Sequence, residues 1–187
     1  MTDQYKGYTI DINQDEFADS PRDWGSPTQM ICFQRRYDLG DKHSYNSDDY
    51  DGWDELSKAI SKKGDLIAPL YLYDHSGLRI KIGSFQGLLP QGHAEFDSGQ
   101  VGFIVFTREK IREHFEVKRI TPATLKKAQK LMEQDVSYYD SYISGSVYQY
   151  TVTDEDGEVI ESCGGYYDYD MAETDAKTLV DSLKEVK

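Results

Sequence analysis

Leu66-Ile67-Ala68-Pro69-Leu70-Tyr71-Leu72-Tyr73-Asp74-His75-Ser76-Gly77-Leu78-Arg79-Ile80-Lys81-Ile82 decides the class of fold. Leu66 to Tyr73 reads as a strand, and Leu78 to Ile82 alternates apolar and charged residues as a half-buried strand does. Asp74-His75-Ser76-Gly77 between them is a turn. A connection that short returns the chain beside itself, so the two strands run antiparallel. Pro69 lacks the N–H a ladder needs, which puts it at an edge or a bulge.

Toward the N-terminus, Tyr5 to Ile12 alternates as a strand, Ser20 to Pro27 is a loop, and Met30 to Tyr37 is a second strand. Leu39 to Tyr50 is an acidic loop. Asp51 is placed to N-cap a short helix with Trp53, Leu56, Ala59 and Ile60 on one stripe, and Gly64 stops it. Toward the C-terminus, Gly83 to Gly99 is a long connection of the kind that carries function. Val101 to Phe106 is a strand, and Thr107 starts a helix reaching Phe115. Thr121-Pro122 opens the best helix, with Thr as N-cap and Pro at the first helical position. Leu125, Ala128, Leu131, Met132, Val136 and Tyr139 form its apolar stripe.

Val147 to Thr153 and Glu158 to Cys163 form a hairpin. A four-residue loop, Asp154 to Gly157, pairs Val152 with Val159; a tighter loop would oppose Glu155 and Glu158. Asp170 N-caps the last helix, with Glu173 as its capping-box partner and Ala172, Ala176, Leu179, Val180 and Leu183 facing inward. Regular βαβ alternation is missing. The expectation is an α+β fold, a mostly antiparallel sheet with about four helices packed on one face, as a single domain over residues 1–187.

At 187 residues with 38% hydrophobic content the chain has material for one core. Its apolar runs are too short to span a membrane. The Met1-Thr2-Asp3-Gln4-Tyr5-Lys6 start predicts no signal peptide. Cys32 and Cys163 make no disulfide framework, which favours a reducing compartment. Cys32, on a strand, reads as a small core residue.

The net charge of −13 argues against direct binding of nucleic acid or an anionic membrane by the surface as a whole. Of the 34 acids, 21 fall in three stretches: Asp11–Asp23, Asp38–Glu55 and Asp154–Asp175. Arg108 to Glu133 has the opposite sign. Such asymmetry points to a charged partner. Tyr-rich runs such as Tyr166-Tyr167-Asp168-Tyr169-Asp170 interleave rings with carboxylates, which suits the Arg/Lys-rich groove of a nucleic-acid-binding protein better than nucleic acid itself. The competing reading packs those tyrosines on the sheet and leaves the acids to solvate it.

Chemistry is sparsely signalled. His43, His75, His93 and His114 lack metal-ligand spacing, and no cofactor or metal is expected. Asp74, His75, His93 and Asp97 are the catalytic candidates if the long loop folds back and brings them together. Gly99-Gln100-Val101-Gly102 fits tight backbone packing rather than a phosphate cradle.

Ser20-Pro21-Arg22-Asp23-Trp24-Gly25-Ser26-Pro27-Thr28-Gln29-Met30-Ile31-Cys32-Phe33-Gln34-Arg35-Arg36-Tyr37-Asp38-Leu39-Gly40-Asp41 resembles a widespread family of small phage and mobile-element proteins. The likeness continues at Pro69–Gly77, Asp97–Phe103 and Val136–Tyr150. Members of that family often carry His where this chain has Gln34, so no family-wide catalytic His is expected there. The resemblance implies a phage or prophage origin, hence the cytoplasm of a host cell, and no reaction.

By analogy with acidic anti-restriction and anti-CRISPR inhibitors, the expected function is inhibition of a host nucleic-acid-targeting defence protein, a CRISPR effector or restriction enzyme, more a binder than an enzyme. The expected contacts are Trp24, Asp41, Asp48, Asp49, Asp51, Trp53, Asp54, Glu55, Asp154, Glu155, Asp156, Tyr166, Tyr167, Asp168, Tyr169 and Asp170, gathered on one face. The alternatives are a small metal-dependent hydrolase or nuclease, and a phage replication or regulatory module using the basic segment.

Overall fold

In the computed structural model, which describes residues 1–89 and 92–185, the strands in chain order are β1 (Thr2–Tyr5), β2 (Tyr8–Gln14), β3 (Gln29–Cys32), β4 (Leu66–Asp74), β5 (Leu78–Ile82), β6 (Ser98–Phe106), β7 (Tyr148–Thr153) and β8 (Val159–Tyr166). The helices are α1 (Trp53–Ile60), α2 (His93–Phe96), α3 (Arg108–His114), α4 (Pro122–Ile143) and α5 (Tyr169–Glu185). Every ladder is antiparallel, so the fold is α+β. The strands divide into two sheets of four, and the chain forms two compact units, Met1–Ser20 with Ser141–Lys187 and Pro21–Asp140. No described helix is long and apolar enough to cross a membrane.

The unit built from the two ends of the chain orders its sheet β1-β2-β7-β8. The segment expected as one strand over Tyr5–Ile12 is a hairpin. Tyr5 pairs with Tyr8, and Lys6 and Gly7 both take positive φ, as a two-residue type I′ turn requires. Ala172, Ala176 and Val180 of α5 seal one face of the sheet against Tyr8, Ile10, Ile12, Tyr150 and Val152. The small alanines let helix and sheet approach closely.

Asp168, not Asp170, caps α5. Its carboxylate accepts the N–H of Asp170 at 2.8 Å and of Met171 at 3.2 Å. Glu173 instead takes Lys177 at 2.8 Å, one turn along. The β7–β8 register pairs Thr153 with Val159 and Val152 with Glu161, so Val152 does not oppose Val159. The shift has a local cause: Asp154 Oδ1 accepts the N–H groups of Asp156 and Glu158, which tightens the turn.

The central unit orders its sheet β3-β6-β4-β5. Val101 to Phe106 is apolar without alternation because helices cover both faces, not one. On one face Leu56 and Ile60 of α1 pack on Ile31, Phe103 and Val105. On the other, Met132 of α4 shares a cleft with Leu66, Ala68 and Ile82. Pro69 sits in an interior strand, yet breaks no ladder. Its carbonyl accepts the Gly83 N–H at 2.9 Å, and β5 pairs only from Ile82 opposite Leu70, so the missing donor points past the end of β5. A bulge follows at Leu70/Tyr71.

Two local expectations need correction. Strand β3 ends at Cys32 rather than Tyr37. Gly52 rather than Asp51 precedes α1, while the Asp51 N–H donates to the Glu55 carboxylate at 2.6 Å. The long connection after Gly83 carries the short helix α2. The caps of α3 and α4 are as the residues specify: Thr107 accepts from Lys110 N–H and Thr121 from Thr124 N–H.

Cys32 is buried, and desolvation, reinforced by Asp41, pushes its thiol up to about 12. The neutral thiol therefore favours the fold below the ordinary thiol range, and this contribution is lost as pH rises toward that value. Cys163 is exposed. At pH 8 a thiol reagent is expected to titrate one cysteine in the native protein and both in denaturant. Fast reaction of two in the native state would contradict the buried placement.

Candidate functional site

Two of the three acidic stretches meet in the unit formed by the chain ends. Asp15 Oδ2 accepts the N–H of Gly165 at 2.9 Å, and Tyr167 donates its hydroxyl to the Asp19 carbonyl at 3.1 Å. These contacts bring the 15–19 loop to the connection between β8 and α5. Glu16, Asp19, Asp168, Asp170 and Asp175 are all exposed there. Phe17, with 90% of its surface exposed, projects from the middle of this group. A groove of about 450 Å³ lined by Tyr166, Asp170, Met171, Thr174, Asp175 and Thr178 runs along the outer side of α5. Met171 is 60% exposed at its edge.

The described cations of this unit lie elsewhere. Lys6 pairs with Asp181, Lys177 with Glu173 and Asp3, and Lys184 sits over the Tyr8 ring. They cluster by β1, the start of β2 and the C-terminal half of α5. The unit is therefore polarised, with its acids and its exposed Phe17 and Met171 beside β8. Glu155 and Asp156 are exposed at the far tip of the hairpin, while Asp154 is a turn former that spends its carboxylate on backbone donors.

The tyrosines are not free anchors. Tyr166 packs with its ring tilted against Tyr150, centroids 5.6 Å apart, and donates to the Asp175 carboxylate. Burial and this acidic neighbour raise its phenol. Tyr167 is pushed up to about 12, chiefly by burial. Tyr169 packs edge-on to Tyr148 at 5.5 Å. Tyr148, Tyr150 and Tyr166 pack with the core beneath α5, and Tyr169 joins them from the helix, so these rings serve the fold.

In the central unit, Asp48, Asp49 and Asp51 are exposed on the segment leading into α1, and Asp54 and Glu55 on its first turn. Asn46 caps the short 3₁₀ turn at Ser47–Asp49 and so presents the carboxylates outward. Asp41 and Trp53 differ from expectation. Asp41 is held by Arg22 at 2.6 Å and by the Met30 N–H at 2.7 Å, so it serves the fold. Trp53 is half-buried against Phe33 and edge-on to Phe103 at 5.9 Å, because the stripe of α1 turns it to the sheet. Trp24 is 58% exposed beside a cavity of about 250 Å³ that it shares with Arg22, Asp135 and Tyr138.

The 74–97 group partly converges. Asp74 N–H donates to the Asp97 carbonyl at 2.9 Å, and His75 Nδ1 lies 3.1 Å from Asp97 Oδ2. Tyr37 donates to Asp74, and Tyr73 stacks on the His75 ring. The side chain of His93 lies outside the described residues. A carboxylate-oriented imidazole can move a proton. Among the described residues no three His, Cys, Asp or Glu side chains group as metal ligands would.

Residue-by-residue reading missed Glu16, Phe17, Asp19, Met171 and Asp175. The available signal was an aromatic flanked by acids in Asp15-Glu16-Phe17-Ala18-Asp19. Comparison of the chain with protein-family models, with curated proteins and with solved structures found no match.

Proposed function

We propose that this is a phage-encoded inhibitor of a host nucleic-acid-targeting defence protein, of anti-CRISPR or anti-restriction type, that binds a basic groove in place of nucleic acid. The observation that carries the reading is the segregation of charge in the unit of the chain ends: carboxylates with exposed Phe17 and Met171 by β8, lysines by β1. Carboxylates spaced along an edge substitute for phosphates, and the apolar side chains add anchoring area. The acidic turn before α1 offers a further carboxylate set. Phage origin rests on the resemblance of the Trp24-Gly25-Ser26-Pro27 and Leu72-Tyr73-Asp74-His75-Ser76-Gly77 segments. A second reading, a small metal-dependent hydrolase or nuclease, draws on the contact between His75 and Asp97.

One assay separates them. A purified CRISPR effector or restriction endonuclease is titrated with the protein at low and high salt. The inhibitor reading expects a block that ends near molar equivalence and weakens at high salt. It also expects about tenfold weaker action from the triple variant Glu16→Gln, Asp19→Asn, Asp170→Asn. A block indifferent to salt and to those substitutions sinks the electrostatic reading. Substoichiometric, metal-dependent cleavage abolished by His75→Ala would replace it with the second.

A further inference from the structure

In a chain with 34 acids against 21 Lys and Arg, four cations converging on one pocket stand out. In the central unit Arg22, Arg36, Arg79 and Lys110 are all ion-paired. Lys62, Lys63, Arg108 and Arg112 have no ion pair among the described residues, and all four line one pocket of about 390 Å³ with Tyr45 and Ile60. Two carboxylates share that lining, Asp65 and Glu109.

The convergence is built by backbone contacts. Asp65 accepts the Lys62 N–H on one carboxylate oxygen and the Arg108 N–H on the other, each at 2.8 Å. This clasp ties the loop after α1 to the first residue of α3. It also uses both of the carboxylate's oxygens. Arg108 and Arg112, one turn apart on α3, then stand on the wall facing Lys62 and Lys63. Gly64 clears space for the Arg108 side chain: a Cβ there would lie 2.7 Å from a guanidinium nitrogen, and the residue holds φ +93.

We propose that this pocket binds the phosphate of a nucleotide-sized ligand. Two guanidinium forks match phosphate oxygens bidentately, and two ammonium groups add point charge. Tyr45 and Ile60 supply a wall against which a base can lie. The volume falls in the range of small-molecule sites, roughly 300–1,000 Å³. Net charge selects size. A small anion in the pocket feels the local cations within a Debye length of about 8–10 Å, whereas an extended polyanion also meets the acidic surface. The ligand is therefore a mononucleotide rather than a long nucleic acid. This inference is independent of the inhibitor reading, which uses other residues.

The test is calorimetric titration of the full chain with adenosine 5′-monophosphate, adenosine, inorganic phosphate and a 20-nucleotide oligothymidine. The expected result is saturable binding of the monophosphate, at least tenfold tighter than either adenosine or inorganic phosphate and weakened by salt. Arg108→Gln with Arg112→Gln lowers that affinity at least tenfold; the first keeps the backbone N–H that Asp65 needs. Circular dichroism checks that the double variant is folded, and Lys126→Gln with Lys127→Gln on α4 binds as the parent does. Equal affinity for phosphate and monophosphate overturns the nucleotide assignment. Binding of the oligonucleotide alone, no binding of the monophosphate, or binding unchanged in the folded double variant overturns the site.

Discussion

Arg22→Ala is expected to destabilise the central unit by about 3–5 kcal/mol, the cost of stripping one partner from a buried ionic cluster. The Arg22 side chain is only 6% exposed. Its guanidinium holds Asp41 through two nitrogens at 2.6 and 2.9 Å and donates to the Thr28 carbonyl at 2.8 Å. Asp135 of α4 lies 3.7 Å away and accepts from the hydroxyls of Ser26 and Thr28. The cluster thus ties the Pro21–Thr28 loop to the start of β3, through Asp41, and to α4. Removing the cation leaves two largely desolvated carboxylates, Asp41 with the Met30 N–H and Asp135 with the Ser26 and Thr28 hydroxyls.

A domain holds about 5–15 kcal/mol in all, so the loss should be plain in urea unfolding. Trp24 and Trp53 both belong to the central unit, so tryptophan fluorescence follows it specifically. A loss below about 1 kcal/mol, as for a surface pair, would show that the cluster contributes little. Replacing both charges, Arg22→Met with Asp41→Leu, should recover part of the loss, because an apolar pair leaves one fewer carboxylate unsatisfied.

Gly102→Ala is the second large effect. A Cβ at Gly102 would stand 1.9 Å from the Ile31 carbonyl oxygen and 2.9 Å from the Cys32 Cα. Both are backbone atoms of β3, the strand paired directly with β6, so no rotamer change relieves the overlap. Gly102 also lies beside the bulge where β4 shifts register against β6. The expected cost is about 3 kcal/mol or more, the upper end for overpacking. Gly99, in the same strand, has nothing within 4 Å of its Cβ position. Gly99→Ala should therefore stay within about 0.5 kcal/mol of the parent. Equal thermal unfolding of the two variants would contradict the close approach of β3 to β6.

Gly102 also illustrates what short-range reading can reach. A glycine in an apolar strand signals a close approach, but not which strand approaches. The same division holds elsewhere. Thr121-Pro122 specifies where α4 begins, because a hydroxyl cap and a fixed φ act within one turn. The alternation of Leu78 to Ile82 specifies a half-buried strand. The unbroken apolar run of Val101 to Phe106 was consistent with burial on both faces, yet only the packing of α1 and α4 made it so. The Tyr5–Ile12 pattern misled, because alternation continues across the Lys6-Gly7 turn and conceals a hairpin.

For the site, local patterning carried the acidity, the exposed Asp48–Glu55 turn and the pairing of rings with carboxylates, since charge and side-chain type belong to each residue. It could not say which acids are neighbours. Asp15 reaches Gly165 across 150 positions, and Arg22 reaches Asp135 across more than a hundred. Such contacts have no periodicity to read: they exist because burying apolar faces brings distant segments together, and the polar groups then pair with whatever arrives. That is why Asp41 turned inward to Arg22 while Glu16 and Asp19 joined the acidic edge.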